Sequence, residues 1–128
     1  MLTQREHYKP LVLCVDDDEG ILNLTREGLE CMGYRVLTAN SGEAALQTFA
    51  ASPVDAVVLD YEMPGMNGSE VARQMVLIKP HVPKLLCSGK TGISGEETRA
   101  FQGYCAKPVG LFALVSKIGA MTSFAASV

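Results

Sequence analysis

The chain has no tryptophan, no Cys-x-x-Cys spacing, no acidic residue beyond Glu97 and no internal repeat or low-complexity tract. Its apolar stretches fall well short of the ~20 residues that a membrane-spanning helix needs. Met1 to Pro10 is polar and mixed in charge, which is not a signal-peptide pattern. Cys14, Cys31, Cys87 and Cys105 offer no zinc-ligand or dithiol motif. Three of them fall in apparent strands, which fits buried, reduced thiols of a cytoplasmic protein better than disulfides. Nor is there a basic excess: the net charge of −3 argues against direct nucleic-acid binding. The mildly basic last quarter, with Arg99, Lys107 and Lys117, reads as solvated surface apart from Lys107. What is present is 128 residues, 48% apolar and 20% charged, enough for one domain with a real core.

Short apolar runs alternate with helical patterns. Strands are expected over Leu11–Val15, Arg35–Ala39, Ala56–Asp60, Lys84–Ser88 and, briefly, Tyr104–Ala106. The first and third are too short for helices and read as parallel strands buried on both faces. Between the first two strands the spacing predicts a helix with Ile21, Thr25, Gly28, Leu29 and Met32 on one face, closed by Gly33. Asn40 and Ser41 are cap candidates for a second helix that carries Ala45 and Phe49 and stops before Pro53. Asn67, with Glu70 three residues on, makes a capping-box pattern for a third, striped by Val71, Met75 and Ile78 and ended by Lys79-Pro80. Ser94 and Glu97 suit the start of a fourth, short helix before Gly103. The last helix is expected from near Val109, with Leu111, Val115 and Ile118 spaced along one side. Five strands alternating with five helices imply a doubly wound α/β sheet, because parallel strands need crossover connections.

In such sheets ligands sit at the carboxyl ends of strands. Asp16 and Asp17 follow the first strand, Asp60 ends the third, Ser88 the fourth, and Lys107 follows the fifth. Carboxylates sharing a small volume repel each other unless a proton or a cation joins them. Mg²⁺ suits an all-oxygen site of a few carboxylates plus a phosphate. Lysine supplies a point charge for a phosphoryl oxygen, and serine a hydroxyl donor. An aspartate beside a metal and a lysine can attack phosphorus in line to give an aspartyl-phosphate. Asp60 is the expected nucleophile because it stands alone on a central strand, whereas Asp16 and Asp17 are suited to hold the ion. Asp18 reads as a helix N-cap or first-turn charge rather than a ligand. Met63-Pro64-Gly65-Met66 has type II turn chemistry, with glycine where φ is positive, and such a turn can swing the Glu62 carbonyl toward the metal.

The string Val15-Asp-Asp-Asp-Glu-Gly20, the segment Leu59-Asp-Tyr-Glu-Met-Pro-Gly-Met-Asn-Gly68, Ser88-Gly89 and Lys107-Pro108, in that order, resemble the receiver domain of bacterial two-component response regulators. Ala39-Asn-Ser-Gly-Glu-Ala44 fits the same pattern. The resemblance spans residues 10–120 and is to the single-domain, chemotaxis-regulator-like type, leaving 1–9 as an extension and 121–128 as a tail. It implies a flavodoxin-like α/β sheet of order 2-1-3-4-5 with helices on both faces and the fourth helix short or irregular. It implies that Asp60 accepts phosphate from a histidine kinase or a histidine phosphotransfer protein. Mg²⁺ would be held by Asp16, Asp17, Asp60 and the backbone carbonyl of Glu62. Lys107 would contact the phosphoryl group, beside a Lys-Pro peptide that is usually cis in the family.

Ser88 and Tyr104 occupy the family's switch positions, where the hydroxyl moves toward the phosphoryl oxygen and the strand-five aromatic turns inward. A hydrogen bond to a charged group contributes ~1.5–3 kcal/mol, and reversing a 1:99 population takes ~5.5 kcal/mol. Ser88 and Lys107 would therefore have to act together. The resemblance further implies a protein that catalyses only its own phosphorylation and dephosphorylation. Its output would leave through the surface from the fourth strand to the last helix, toward an unidentified downstream protein or a second copy of the chain. The Ser88–Lys107 stretch is shorter than is usual, and Gly89, Gly92 and Gly95 weaken any helix in it. Glu62 and Lys90 fall where residues flank the water that hydrolyses the acyl phosphate, and a pair between them would hinder that water.

Two other readings use the same residues. A haloacid-dehalogenase-type phosphatase also forms an aspartyl-phosphate, and Asp16-x-Asp18 imitates its opening motif. That family expects Thr or Val where this chain has Gly20, and acids after the lysine, where none stands beyond Lys107. A receiver-like scaffold that takes no phosphate is the other, against which Asp16, Asp17, Asp60, Ser88 and Lys107 all speak. Ser88-Gly89-Lys90-Thr91 ends like a P-loop but lacks its first glycine. His7 and His81 read as surface residues, and Cys87 and Cys105 as core. The Ile21-Leu22 patch suits either core or the docking of a kinase's helical bundle, and Gly119–Val128 either a frayed end or a contact strip.

Overall fold

The computed structural model describes residues 8–124; His7 with the rest of 1–7, and 125–128, lie outside the described residues. Five strands form one sheet: β1 (Leu11–Val15), β2 (Arg35–Ala39), β3 (Ala56–Asp60), β4 (Lys84–Ser88) and β5 (Gly103–Ala106). Their order is β2-β1-β3-β4-β5, and every neighbouring pair is parallel. β1, β3 and β4 are buried at each residue, as strands covered by helices on both faces must be. The helices are α1 (Glu19–Cys31), α2 (Gly42–Ala51), α3 (Gly68–Ile78), α4 (Gly95–Thr98) and α5 (Leu111–Thr122).

Successive strand residues point to opposite faces, so the sheet builds two cores. Val12, Cys14, Val58, Leu85, Cys87 and Cys105 pack beneath Leu22 and Leu29 of α1 and Leu114, Val115 and Ile118 of α5. On the other face Leu13, Val15, Val57 and Leu59 pack beneath Ala45 and Phe49 of α2 and Val71, Ala72 and Met75 of α3. Side-chain caps start four of the helices. Asp18 accepts from Ile21 N, Ser41 from Ala44 N, Asn67 from Glu70 N and Ser94 from Glu97 N. Lys79, just past α3, donates to the carbonyls of Phe49 and Ser52 at 2.9 and 2.7 Å and so closes α2.

The helix faces differ from the sequence expectation at three residues. The expected face of α1 began at Ile21, which is 42% exposed; Leu22 is buried instead. The rest of that face holds, with Leu29 buried and Thr25, Gly28 and Met32 half-buried, and only Ile21 gives way to its neighbour Leu22. Ile78, the last residue of α3, is 43% exposed, and Ala72 is buried beside Val71 and Met75. The last helix starts at Leu111 rather than near Val109, and Leu111 lies at the rim against Gly28 of α1. α4 has only four residues and buries none of them, which fits the short, glycine-weakened segment. Cys14, Cys87 and Cys105 are buried thiols, Cys31 and His81 are exposed, and the tail's first residues through Thr122 belong to α5.

Candidate functional site

β1 and β3 are neighbours, paired up to Val15 with Leu59. The next residues in each chain direction, Asp16 and Asp60, therefore emerge side by side at the carboxyl edge, where the strand order reverses. Carboxylate oxygens of Asp16, Asp17 and Asp60 all lie within 4.8 Å of one another. Asp16 and Asp60 are buried, while Asp17 faces solvent. Asp16 is oriented locally, its Oδ1 accepting from Asp18 N at 3.0 Å.

Lys107 arrives from the other side of Asp60. β5 pairs with β4 through Ser88 and Ala106, and Lys107 N donates to Ser88 O at 3.0 Å. This anchors the Lys107 backbone two strands from Asp60, with β4 between, and its side chain spans the gap. Nζ lies 2.8 Å from Asp60 Oδ1 and 3.4 Å from Asp16 Oδ2. The first contact is an ion pair by distance, with no directed hydrogen bond reaching that buried oxygen. The following Lys107-Pro108 peptide is cis.

Burial pushes the Asp60 carboxyl above the ordinary carboxylate range; the Lys107 ammonium pulls it down, Asp16 pushes it up again, and the net direction is upward. For Lys107, burial acts to lower the pKa, but contact with Asp60 and then Asp16 outweighs it, so the ammonium is held more firmly than usual. One cation thus faces three carboxylates, and a buried oxygen is left without a directed donor. A hard divalent ion with oxygen preference fits that donor set.

The loop after Asp60 is shaped by two glycines. Gly65 has φ +79°, as the third residue of a Pro-Gly type II turn requires. Gly68 is needed for a different reason: a Cβ there would lie 2.5 Å from the Asp60 carbonyl oxygen and 2.9 Å from Tyr61 Cα. Its amide donates to Tyr61 O at 2.9 Å, which folds the loop back over the end of β3.

Glu62 and Lys90 do not pair with each other, contrary to the sequence expectation. Glu62 Oε1 accepts from the Ser88 hydroxyl at 3.1 Å, and Lys90 Nζ lies over the Tyr61 ring, 5.2 Å from its centre. Each side chain thus has its own partner at this edge. Tyr104 is 44% exposed, not turned inward, and its hydroxyl donates to Ser88 O at 3.3 Å. A contact that the sequence did not disclose ties α4 to the loop. Tyr61 donates its hydroxyl to Glu97 Oε2 at 2.8 Å, and Ser69 Oγ donates to Glu97 O at 3.1 Å. Nothing in the spacing of residues 36 apart signals such a bond.

A groove of about 260 Å³ opens beside the acids. Ile21, Leu22, Leu24 and Thr25 of α1 form one wall, and Pro108 and Val109 the other, with Asp60 and Lys107 at its end. The burial of Leu22, the half-burial of Thr25 and the exposure of Leu24 at 72% mean that the patch serves both as core and as surface.

A family model described as the response regulator receiver domain matches residues 12–118. The chain is 33% identical over 118 residues to the autoinducer 1 sensor kinase/phosphatase LuxN of Vibrio campbellii, covering 91% of this chain and 14% of that protein. It is 34% identical over 113 residues to the response regulator MprA of Mycobacterium leprae, covering 86% of this chain and 50% of that protein. The chain therefore spans half or less of the length of these relatives. Among solved structures, the response regulator TrrA of Thermotoga maritima in complex with Mg(2+)-BeF superposes with a TM-score of 0.82 at 33% identity, over 88% of this chain and 98% of that one. TrrA has also been solved in complex with the histidine kinase ThkA, where it matches with a TM-score of 0.80 at 33% identity, over 88% of this chain and 97% of that one.

Proposed function

The chain belongs to the response regulator receiver domain family, and from that premise we propose that Asp60 is its phosphoacceptor. Family membership favours this signalling role over the phosphatase and the inert scaffold. The donor is a histidine kinase or a histidine phosphotransfer protein, the former being the partner in the TrrA complex. The observation that carries the reading is the meeting of Asp16, Asp17, Asp60 and Lys107 at one strand edge.

In the transfer, an Asp60 carboxylate oxygen forms the bond to phosphorus while the bond from phosphorus to the donor's imidazole nitrogen breaks. The donor imidazole keeps that electron pair and leaves as neutral imidazole because its other ring nitrogen already carries a proton. Lys107, already held protonated by two carboxylates, moves its charge from Asp60 to a phosphoryl oxygen as Asp60 becomes an ester-like acyl phosphate. Asp16, Asp17, Asp60 and the Glu62 carbonyl would hold Mg²⁺, the ion bound in the TrrA complex. When bound, it neutralises negative charge on the transferring group. Ser88 then donates to the phosphoryl group, and Tyr104 follows toward the interior, its present bond being to Ser88 itself. The chain turns over nothing but its own phosphorylation and dephosphorylation.

The receiver unit is taken as residues 10–120, and it works in the cytoplasm, where such kinases transfer phosphate. No described helix is long and apolar enough to cross a membrane. The output surface is β4–α4–β5–α5, read by a downstream protein or by a second copy. Incubation with Mg²⁺ and acetyl phosphate, followed by intact mass, tests the core of this. Wild type should gain one phosphoryl group and Asp60→Asn none. A wild-type chain that gains no mass, or a variant that gains as much, would remove Asp60 from the role.

A further inference from the structure

The Ser88 hydroxyl is completely buried, and its one hydrogen and one of its two lone pairs are in use. It accepts from Lys90 N at 2.9 Å and donates to Glu62 Oε1 at 3.1 Å. A serine hydroxyl has one hydrogen to give. In this conformation that hydrogen is given to a carboxylate on the loop after β3, and so cannot be given to a group on Asp60. We propose that Glu62 is a built-in competitor for the switch hydroxyl. Its side chain holds Ser88 in the unphosphorylated arrangement, and the phosphoryl group must displace it before the switch can form.

This rests on the reading of Asp60 as phosphoacceptor and deepens it by naming what opposes activation. The chemistry favours such competition. Both acceptors are anionic oxygens, so the exchange is between bonds of similar kind. The balance is then set by charge and by cost of desolvation. Glu62 is exposed and loses little on release, whereas the phosphoryl oxygens would lie among Lys107 and the acids. The competitor is thus weak enough to be displaced and strong enough to bias the resting state. Lys90 does not pair with Glu62 in this arrangement; its ammonium lies over the Tyr61 ring.

The test is a double-mutant cycle read as affinity for Mg²⁺-beryllofluoride, a phosphoryl mimic, followed by amide NMR shifts of β4 and β5. Glu62→Ala removes the side chain and keeps the backbone carbonyl proposed as a metal ligand. It should tighten binding about fivefold, a fraction of the worth of a hydrogen bond to a charged group because Glu62 faces solvent. In a Ser88→Ala background the same substitution should change affinity by less than about twofold, since there is no hydroxyl to release. Equal tightening in both backgrounds would mean simple charge repulsion and would overturn the proposal, as would no tightening in either. Should Ser88→Ala fail to fold, Glu62→Gln decides: competition places it between wild type and Glu62→Ala, because the amide oxygen still accepts, whereas repulsion makes it match Glu62→Ala. Absence of any beryllofluoride binding by wild type would instead count against Asp60 as phosphoacceptor, a separate failure.

Discussion

At the scale of single residues, the carboxyl of Asp60 is the group on which the fold acts most plainly. It is 3% exposed, with Asp16 beside it, and both press its pKa upward against the pull of Lys107. The folded protein therefore holds that proton more tightly than the unfolded chain does. The resulting stability is fully present below the ordinary carboxylate pKa of ~3.9 and is lost as pH rises through the raised native value. At neutral pH without metal, the ionised side chain is a burden. Asp60→Asn should raise the melting temperature at pH 7 in EDTA by a few degrees, and the gain should shrink toward zero near the unfolded carboxylate pKa. Thermal melts across pH check this; an Asn variant less stable than wild type at pH 7 would mean that the Lys107 ion pair outweighs burial. Elsewhere the same desolvation is only structural. Burial pushes the thiols of Cys14 and Cys87 up to about 12, which keeps them protonated and unreactive.

At the scale of elements, the loop from β3 into α3 is the most tightly specified. Gly68→Ala would put a methyl group 2.5 Å from a backbone oxygen that cannot rotate away. The expected cost is roughly 1–3 kcal/mol by overpacking, read from urea denaturation, together with slower labelling by acetyl phosphate as the end of β3 shifts. A variant of unchanged stability would mean that the loop re-forms freely. The strands and the acids on their ends were legible in the sequence because continuous apolar runs and a carboxylate at each end are local signals. The caps at Asn67 and Ser94 were legible for the same reason, a glutamate three residues on, whereas Asn40 and Ser41 were both candidates and Ser41 is the cap. Helix phase was less so: Ile21 and Leu22 are adjacent and equally apolar, and packing beneath the sheet face selects Leu22. Glu62 and Lys90 were matched by charge alone, but the Ser88 hydroxyl and the Tyr61 ring, set nearby by the sheet, win each of them. The bond from Tyr61 to Glu97 depends on where α4 lies, which no local pattern encodes.

At the scale of the whole molecule, the two cores divide the labour. The face under α2 and α3 is closed, with Phe49 and Met75 fully buried. The face under α1 and α5 is left open at its upper end, where the groove meets Asp60 and Lys107. An apolar wall beside the proposed phosphoacceptor would suit a phosphohistidine-bearing helix, whose own apolar stripe must be covered while its histidine reaches in line. Leu24 is 72% exposed on α1 and contributes little to folding, yet it lines that groove. Leu24→Glu should therefore leave the melting temperature within a degree or two and leave labelling by acetyl phosphate unchanged. Phosphotransfer from a histidine kinase that serves the wild-type chain should fall about tenfold, the effect of losing one apolar anchor at a protein interface. The comparison separates docking from chemistry, because the small donor needs only Asp60 and its neighbours. If the two donors slow together, Leu24 acts on the site itself; if neither slows, the partner approaches from another side of the sheet edge.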